Sequence, residues 1–326
     1  MSFQTVDPNK LADAPLARRA GERMGDRAFR LLTLGLAAAI ILLVAALLVS
    51  MLVQAAPALR EFGLGFIFGS SWNPVVQRFG ALPAIYGTLV SSLLGLLIAV
   101  PVGLGAAIYL VEFAPSWLAR PLSMLIELLA AIPSVVIGLW ALFVLVPIVA
   151  GVETGLGAAL GSLPLFSGAP LGIGMLTAGL VLGIMVLPIV TAVIRDVLVA
   201  VPSAQREAML ALGATRWETI TRAVLPFGQS GIVGAVILGL GRALGETMAV
   251  TMVIGNSYHI SPSLFAPATT LASLIASQFR EADSSVYLSS LIAAGVVLFA
   301  IAVIVNALAR LLVWRVSGRP SARGAA

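Results

Sequence analysis

The sequence predicts an all-α membrane protein with six transmembrane helices, and three observations lead to this fold class. The 326 residues are 60% hydrophobic and only 10% charged, whereas soluble domains carry about a quarter charged residues. The apolar residues gather into six runs, each long enough to supply the roughly 20 residues that a helix needs to cross a bilayer. Most of the arginines lie in the polar segments before, between and after these runs. Lipid is therefore the expected solvent for most of the chain.

The predicted spans follow a polar leader and precede a short polar tail. The leader covers residues 1–30, the transmembrane domain 31–314 and the tail 315–326. A cleaved signal peptide is an alternative for the first run, but the run is longer than the apolar core of about 7–15 residues that such peptides carry. We therefore expect a retained helix. The six spans are expected at 31–54, 84–111, 122–149, 171–198, 228–256 and 286–314.

Charge placement predicts the direction of the spans. If the N-terminus is cytoplasmic, the outer segments hold only Arg60, Arg78 and Arg280. The positive-inside rule then places both termini in the cytoplasm, in a multi-pass protein of the cell (inner) membrane. The net charge of +5 reflects this topology and requires no nucleic-acid partner. The cationic residues on the inner side are Lys10 and the arginines at positions 18, 19, 23, 27, 30, 120, 195, 206, 216, 222, 310, 315, 319 and 323.

The scarcity of some residue types excludes several kinds of site. There is no cysteine, so the chain holds no disulfide, no thiolate nucleophile and no Cys-ligated metal. Its one histidine, His259, is expected in a solvated loop. Lys10 has no glycine-rich turn before it and cannot belong to a nucleotide-binding P-loop. We expect no cofactor and no enzymatic activity, so any ATP-driven work depends on a separate ATPase.

The longest polar segment after the leader, residues 199–227, predicts a short helix, a glycine bend and a second helix. Ser203 is a good N-cap, strong helix formers follow it, and Gly213 ends or bends the first helix. A second short helix is expected over about 217–224, ending at Pro226. A rigid helix held in a cleft of another protein moves when the cleft closes, so this loop can transmit force. An ordinary amphipathic connector is the alternative.

The spacing within this loop resembles a known motif. Glu207-Ala208-Met209, then Gly213, then Leu225-Pro226 resembles the EAA loop of bacterial ABC importer permeases. Two positions depart from the pattern, because Met209 replaces the second alanine and Ala223 replaces an isoleucine. The resemblance implies a cytoplasmic coupling helix that contacts an ATPase subunit. The residues that it assigns to coupling are Glu207, Ala208, Gly213, Leu225 and Pro226.

The fifth span carries two charged residues near its middle, Arg242 and Glu246. Four residues apart, they share one face of a helix. A charge at the bilayer centre costs roughly 2.5–3.5 kcal/mol, so both should face the bundle interior or a polar cavity. They can neutralise each other, or Arg242 can bind an anion while Glu246 orients its guanidinium and keeps binding reversible. Thr247 and Thr251 can line the same polar path or bond to their own helix backbone.

A longer resemblance covers roughly residues 25–315. The run Gly239–Asn256, GLGRALGETMAVTMVIGN, closely resembles the permease subunit of the phosphate-specific ABC importer, the PstC type. The segments 85–90, 127–134 and 195–197 agree with the same type. This resemblance implies a type I ABC importer permease fold that imports inorganic phosphate. Its implied partners are a related PstA-type permease, a dimer of the PstB-type ATPase and an extracytoplasmic PstS-type binding protein.

The same resemblance implies a substrate path. In that family the intramembrane arginine and glutamate are linked to the phosphate path, and the surrounding motif places Arg242 and Glu246 at these positions. Thr247 and Thr251 are added to the predicted path on a different ground, because they share a helical face not far from Glu246. Two other functions stay open from the residues alone: an ion-gradient-driven anion transporter, which predicts an inverted repeat that we do not find, and a membrane scaffold. The aromatic segment of about 55–83 fits an interfacial anchor or a docking surface for an external partner.

Overall fold

The computed structural model of the chain describes residues 20–317, with side chains described over residues 25–311. The chain divides into two compact units between Ser50 and Met51. The described part of the first unit is one helical segment whose apolar side chains are exposed. A helix that is apolar on every side is typical of a membrane span. Residues 1–19 of the predicted leader and residues 318–326 of the predicted tail lie outside the described residues.

The described part of the chain is mostly helical, and the predicted fold class is confirmed. Within the described residues, six helical segments are long and apolar enough to cross a membrane: Gly25–Phe62, Leu82–Phe113, Ser134–Leu160, Met175–Val199, Arg216–Gly245 and Ser285–Leu311. The α-helices in chain order are α1 (Ala20–Phe62), α2 (Gly65–Phe68), α3 (Leu82–Ile108), α4 (Ser116–Ala130), α5 (Ser134–Trp140), α6 (Val146–Leu160), α7 (Met175–Val199), α8 (Ser203–Ala211), α9 (Arg216–Thr219), α10 (Leu225–Gly245), α11 (Met248–Val253), α12 (Leu271–Gln278) and α13 (Ser285–Ser317). Between α2 and α3, strands β1 (Trp72–Asn73) and β2 (Arg78–Phe79) form an antiparallel hairpin.

The third span differs from its predicted bounds. One helix over 122–149 was expected, and this prediction is wrong because α4 ends at Ala130 and α5 begins at Ser134. Pro133 lies at the break, and its own ψ of 136° is outside the helical region. Its ring also disfavours helical geometry in the residue that precedes it. The amphipathic α4 has no buried residue, and the membrane-length segment is Ser134–Leu160.

The fifth span differs in a similar way. The prediction of one helix over 228–256 is wrong, because α10 ends at Gly245 and α11 begins at Met248. Glu246 has an extended backbone between them, with φ −68° and ψ 128°. The span also starts earlier than expected, because the helical segment is continuous from Arg216. The expected stop at Pro226 is therefore wrong as well.

Segments with π-helical hydrogen bonding explain how the helices accommodate two of the prolines. Such a segment at Ala141–Leu145 precedes Pro147, and another at Ile220–Val224 precedes Pro226. A proline ring collides with the carbonyl of residue i−4 and lacks the N–H of a regular helix. The wider π turn removes that carbonyl from the ring's path, so each helix continues through its proline.

The centre of the second unit is α7, which packs against α3 and α10. In the most apolar stretch of α7, 67% of the residues are buried. A Cβ on Gly95 would lie 2.8 Å from the Cβ of Leu182, and one on Gly179 would lie 2.7 Å from the Cβ of Leu94. Only glycine at these positions lets α3 and α7 approach so closely. The other neighbour, α10, approaches α7 through Gly239.

The second unit has two different ends. Consecutive membrane-length helices alternate in direction, so the hairpin, residues 254–270 and α12 lie at one end, which we call the hairpin end. The opposite end holds α4, α8 and α9 and is called the loop end. Trp72 of the hairpin packs against Tyr258 and Tyr287, with ring centroids 6.5 and 6.4 Å apart. At the loop end, Arg206 next to α7 bonds to Glu112 at the end of the second span.

Candidate functional site

The predicted charged pair forms at the break in the fifth span. Nη2 of Arg242 lies 3.5 Å from Oε2 of Glu246, and the Glu246 side chain is 5% exposed whereas that of Arg242 is 46% exposed. Oε1 of Glu246 accepts a hydrogen bond from the N–H of Ala249 at 3.4 Å, near the start of α11. The cation therefore lies in the last turn of α10 and the anion at the first turn of α11, where the helix dipole stabilises each of them.

Arg242 lines a pocket of about 900 Å³ between α7, α10 and α13. The wall is mostly aliphatic, and α13 contributes Asn306 and Arg310 to it. Among the described residues that line the pocket, none is acidic. Glu246, the ion-pair partner of Arg242, is not part of the wall. The pocket thus offers positive charge in an apolar surrounding, which suits an anion.

The two predicted threonines lie next to the break but do not line this pocket. The hydroxyl of Thr247 donates to the carbonyl of Gly245 at 3.2 Å, and the hydroxyl of Thr251 donates to the carbonyl of Thr247 at 2.6 Å. The side-chain amide of Asn256 donates to the carbonyl of Thr251 at 3.0 Å. These bonds satisfy backbone carbonyls around the break, as threonines near helix ends commonly do.

The predicted coupling loop forms a short helix, a turn and a second helix start. Ser203 is the first residue of α8, and Pro202 rather than Ser203 occupies the N-cap position. Glu207 and Ala208 are exposed, and α8 has no buried residue. Gly213 turns the chain with a φ of 83°.

After the turn, Thr215 and Glu218 start α9 with a reciprocal capping box. Leu225 is half-buried and Pro226 is exposed in the continuous helix that follows. Near the turn, the apolar side chains of Leu210, Leu212 and Trp217 are exposed. An exposed apolar group of this kind indicates a contact with another protein or with the membrane.

One residue of this loop that the sequence argument treats only as a positive charge has a central structural role. The guanidinium of Arg206 donates to Oε1 of Glu112 at 3.1 and 2.9 Å, to the carbonyl of Val201 at 2.6 Å and to the carbonyl of Leu198 at 2.9 Å. Both charged side chains are largely buried. Arg206 thereby joins α8 to the end of α7 and to the end of the second span. We call these contacts the Arg206 clamp.

A second residue that sequence reasoning misses is Glu153, on α6. Its side chain is fully buried, and its Oε2 accepts a hydrogen bond from the N–H of Gly172 at 2.8 Å. Its Oε1 has no partner. Glu153 also lines a smaller pocket of about 410 Å³. A lone carboxylate in an apolar run was the available signal, since such residues in a span are usually functional or paired.

The hairpin end is built on an aromatic cluster rather than on isolated interfacial rings. Trp72 and Phe79 are buried and lie 5.0 Å apart, and Phe79 stacks on Tyr287 at 5.1 Å. Burial, reinforced by Tyr287 and Glu281, raises the pKa of Tyr258 to about 12, so this phenol stays neutral at physiological pH. The hairpin tip is apolar and exposed, with the Val75 side chain 91% exposed. His259 is exposed nearby, in the expected loop.

Comparisons with known proteins assign this arrangement to a family. Residues 99–318 match the family described as binding-protein-dependent transport system inner membrane component. The phosphate transport system permease protein PstC of Mesorhizobium japonicum is 44% identical over 95% of both chains. PstC of Pasteurella multocida is 47% identical over 88% of this chain and 91% of its own. The chain belongs to the PstC family of permease proteins. The matched residues 99–318 contain the pocket, the Arg206 clamp and the coupling loop of this PstC-family chain.

The fold agrees with that family. A chain in the crystal structure of a bacterial alginate ABC transporter in complex with an alginate pentasaccharide-bound periplasmic protein has a TM-score of 0.60 to this PstC-family chain. The two are 17% identical, and the similarity covers 89% of this chain and 96% of that chain. The ABC importer permease fold implied by the sequence resemblance is therefore confirmed.

Proposed function

We propose that this PstC-family chain is the transmembrane subunit through which an ATP-driven importer moves inorganic phosphate into the cell. The observation that carries the proposal is the similarity to PstC permeases over nearly the whole length, 95% of both chains in one case. The chain itself makes and breaks no covalent bond in this function. It provides a path that opens alternately to the two sides of the membrane.

Arg242 is the proposed phosphate contact. Its guanidinium is planar, permanently charged and matched to phosphate oxygens. The 3.5 Å separation from Glu246 is longer than the 2.7–2.9 Å of a tight charge-assisted hydrogen bond, so the guanidinium keeps donors for a ligand. Glu246 orients Arg242 and competes with the anion, which keeps phosphate from binding too tightly to leave. The hydroxyls of Thr247 and Thr251 already donate to carbonyls, and we assign these threonines to holding the break beside the path.

The loop end is the proposed cytoplasmic end, where two ATPase subunits of the PstB type bind. The exposed face of α8, with Glu207 and Ala208, would sit in a cleft of the ATPase. Gly213 lets the chain turn back towards the membrane. Leu225 and Pro226 belong to the helical segment Arg216–Gly245, which runs without a break from the loop to the charged pair. This orientation places both termini in the cytoplasm.

The segment Arg216–Gly245 can carry force from the ATPase to the pocket. Its 30 residues extend about 45 Å at 1.5 Å per residue. The Arg206 clamp joins the same loop to α7, which forms another wall of the pocket. A displacement of α8 would therefore move two pocket walls together. The exposed hairpin tip would receive a PstS-type binding protein, and a PstA-type permease would close the open side of the pocket.

Uptake of radiolabelled phosphate tests this proposal. Vesicles would contain the co-expressed permease pair, ATPase and binding protein, and the wild-type chain would be compared with Arg242→Ala and with an ATPase variant that cannot hydrolyse ATP. We expect uptake to require ATP hydrolysis and to be lost in Arg242→Ala while the complex still co-purifies. An excess of unlabelled phosphate should compete and an excess of sulfate should not.

Each rival function gives a different result in the same vesicles. Uptake that follows an ion gradient and ignores ATP would indicate a secondary anion transporter. No phosphate uptake by an assembled wild-type complex would favour a scaffold. Wild-type uptake by Arg242→Ala would leave phosphate transport standing but would reduce Arg242 to a structural partner of Glu246.

A further inference from the structure

The wall of the pocket opposite α10 carries a second arginine. Arg310 of α13 lines the same pocket of about 900 Å³ as Arg242. It has no ion pair with any described side chain. A charge near the end of a span is usually explained by the positive-inside rule alone. Its position on the wall of this pocket gives Arg310 a contact with whatever the pocket holds.

The two arginines lie towards different ends of the pocket. The part of α10 on the wall runs from Gly234 to Arg242, and the part of α13 runs from Phe299 to Arg310. At 1.5 Å per residue these stretches are about 12 and 16 Å long. The two helices are consecutive spans and cross the membrane in opposite directions. Arg242 therefore lies towards the hairpin end and Arg310 towards the loop end.

Asn306 adds a neutral donor beside Arg310. The two residues are four apart on α13, so their side chains lie on one helix face. The side-chain amide of Asn306 donates one N–H to the carbonyl of Ala302 at 2.8 Å. An amide nitrogen carries two donor hydrogens, so the second is available for a ligand. A guanidinium with a nearby amide is a donor set that suits tetrahedral oxyanions.

We propose that Arg310 and Asn306 form a second phosphate-oxyanion site on the inward part of the path. The anion leaves Arg242, crosses the aliphatic wall and is held by Arg310 before it reaches the cytoplasm. Two sites in series shorten the distance that the anion travels without a counter-charge. This inference rests on the proposed function. The same donor set would also bind the phosphate of a lipid headgroup, and the experiment separates these two sources.

The test uses the complete complex in vesicles, with Arg310→Gln and Arg310→Lys compared to the wild type. The matched control is Arg120→Gln, which removes an exposed arginine of the loop end that does not line the pocket. We expect Arg310→Gln to lower maximal phosphate uptake roughly tenfold, the effect of one lost charge-assisted hydrogen bond. Arg310→Lys should recover part of the rate because the charge remains. Arg120→Gln should transport like the wild type.

A second variant keeps the test decisive if Arg310→Gln does not assemble. Asn306→Asp is nearly isosteric and places a negative charge on the pocket wall, so it should also slow uptake. Wild-type uptake by either assembled variant overturns the proposal. Equal losses in Arg120→Gln and Arg310→Gln would also overturn it, because any arginine of the loop end would then have the same effect.

Lipid composition separates the transported anion from a headgroup. Each variant would be measured in vesicles of phosphatidylcholine alone and with phosphatidylglycerol added. The proposal expects the Arg310→Gln defect in both. If the defect appears only with the anionic lipid, the site belongs to a lipid phosphate and the transit role is wrong. If the wild-type complex takes up no phosphate in either vesicle, the proposed function fails instead, so the two failures are distinguishable.

Discussion

The charged pair shows how a polar site can exist inside an apolar bundle at modest cost. Arg242 occupies the C-terminal turn of α10, where free carbonyls carry partial negative charge, and Glu246 accepts from an N–H of α11. A continuous helix would supply neither of these partners. The break between α10 and α11 therefore stabilises both charges and still leaves the Arg242 side chain 46% exposed towards the pocket.

The Arg206 clamp gives a prediction at the residue scale. Arg206→Lys keeps the positive charge, but an ammonium cannot reach a carboxylate and two carbonyls with the fixed geometry of a guanidinium. We expect both Arg206→Lys and Arg206→Gln to lower the free energy of unfolding by about 1–3 kcal/mol, and to reduce the stimulation of ATP hydrolysis by the loaded binding protein. Thermal unfolding and ATPase assays of the purified complex measure the two effects.

Glu112→Gln serves as the partner control for the clamp. A double-mutant cycle between Arg206→Gln and Glu112→Gln should show a coupling energy, because these side chains share two hydrogen bonds. Strictly additive effects would contradict a direct interaction. Normal ATPase stimulation in Arg206→Gln would show that the clamp is structural and carries no signal from the coupling loop.

At the scale of the elements, the turn after α8 depends on the backbone freedom of a single glycine. Gly213 has a φ of 83°, and a Cβ there would meet no atom within 4 Å. Its substitution therefore tests backbone conformation alone. Gly213→Ala should cost about 1–2 kcal/mol locally, the penalty of left-handed geometry, and should weaken co-purification of the ATPase.

Gly213→Asn is the matched control, because asparagine tolerates left-handed geometry better than alanine does. We expect this variant to retain ATPase binding and uptake close to the wild-type level. Equal defects in Gly213→Ala and Gly213→Asn would mean that the ATPase makes direct contact at this position. Equal wild-type behaviour would mean that the turn does not present α8 to the ATPase.

The elements also show which parts of the fold the sequence could predict. Hydropathy is a property of each long apolar run, so the number of spans follows from it, and the second, fourth and sixth spans agree with the structure within a few residues. The break at Glu246 could not be read from propensity, because the residues after it favour helix as much as those before it. Pro133 and Pro226 look alike in sequence, yet one marks a break and the other lies in a continuous helix.

The sequence predicts the candidate site only in part, as it does the fold. Arg242 and Glu246 stand out because charges are rare within spans. Arg206 and Arg310 do not stand out, because the positive-inside rule already explains arginines at span ends. Glu112, the partner of Arg206, is 94 residues away in the sequence. Arg310 shares its pocket with Arg242, which lies on another helix. Only tertiary structure brings these groups together.

At the scale of the whole molecule, the two ends need to face different compartments. The loop end exposes Leu210, Leu212 and Trp217 next to the coupling loop, and the proposed ATPase can work only where ATP is present. The hairpin end exposes Val75, and the proposed binding protein can deliver phosphate only from outside. The function therefore requires one orientation, with the loop end in the cytoplasm.

The lack of cysteine makes this orientation directly testable. Because the chain contains none, each introduced cysteine is the only site in it for a membrane-impermeant maleimide. We expect Val75→Cys, at the hairpin tip, to be labelled in intact spheroplasts. Ser116→Cys, at the start of α4, is also exposed in the structure but should be labelled only after permeabilisation. The reverse pattern would place the coupling loop outside, away from ATP, and would exclude the importer mechanism. Labelling of both positions in intact spheroplasts would indicate leaky cells and is checked with a cytoplasmic marker protein.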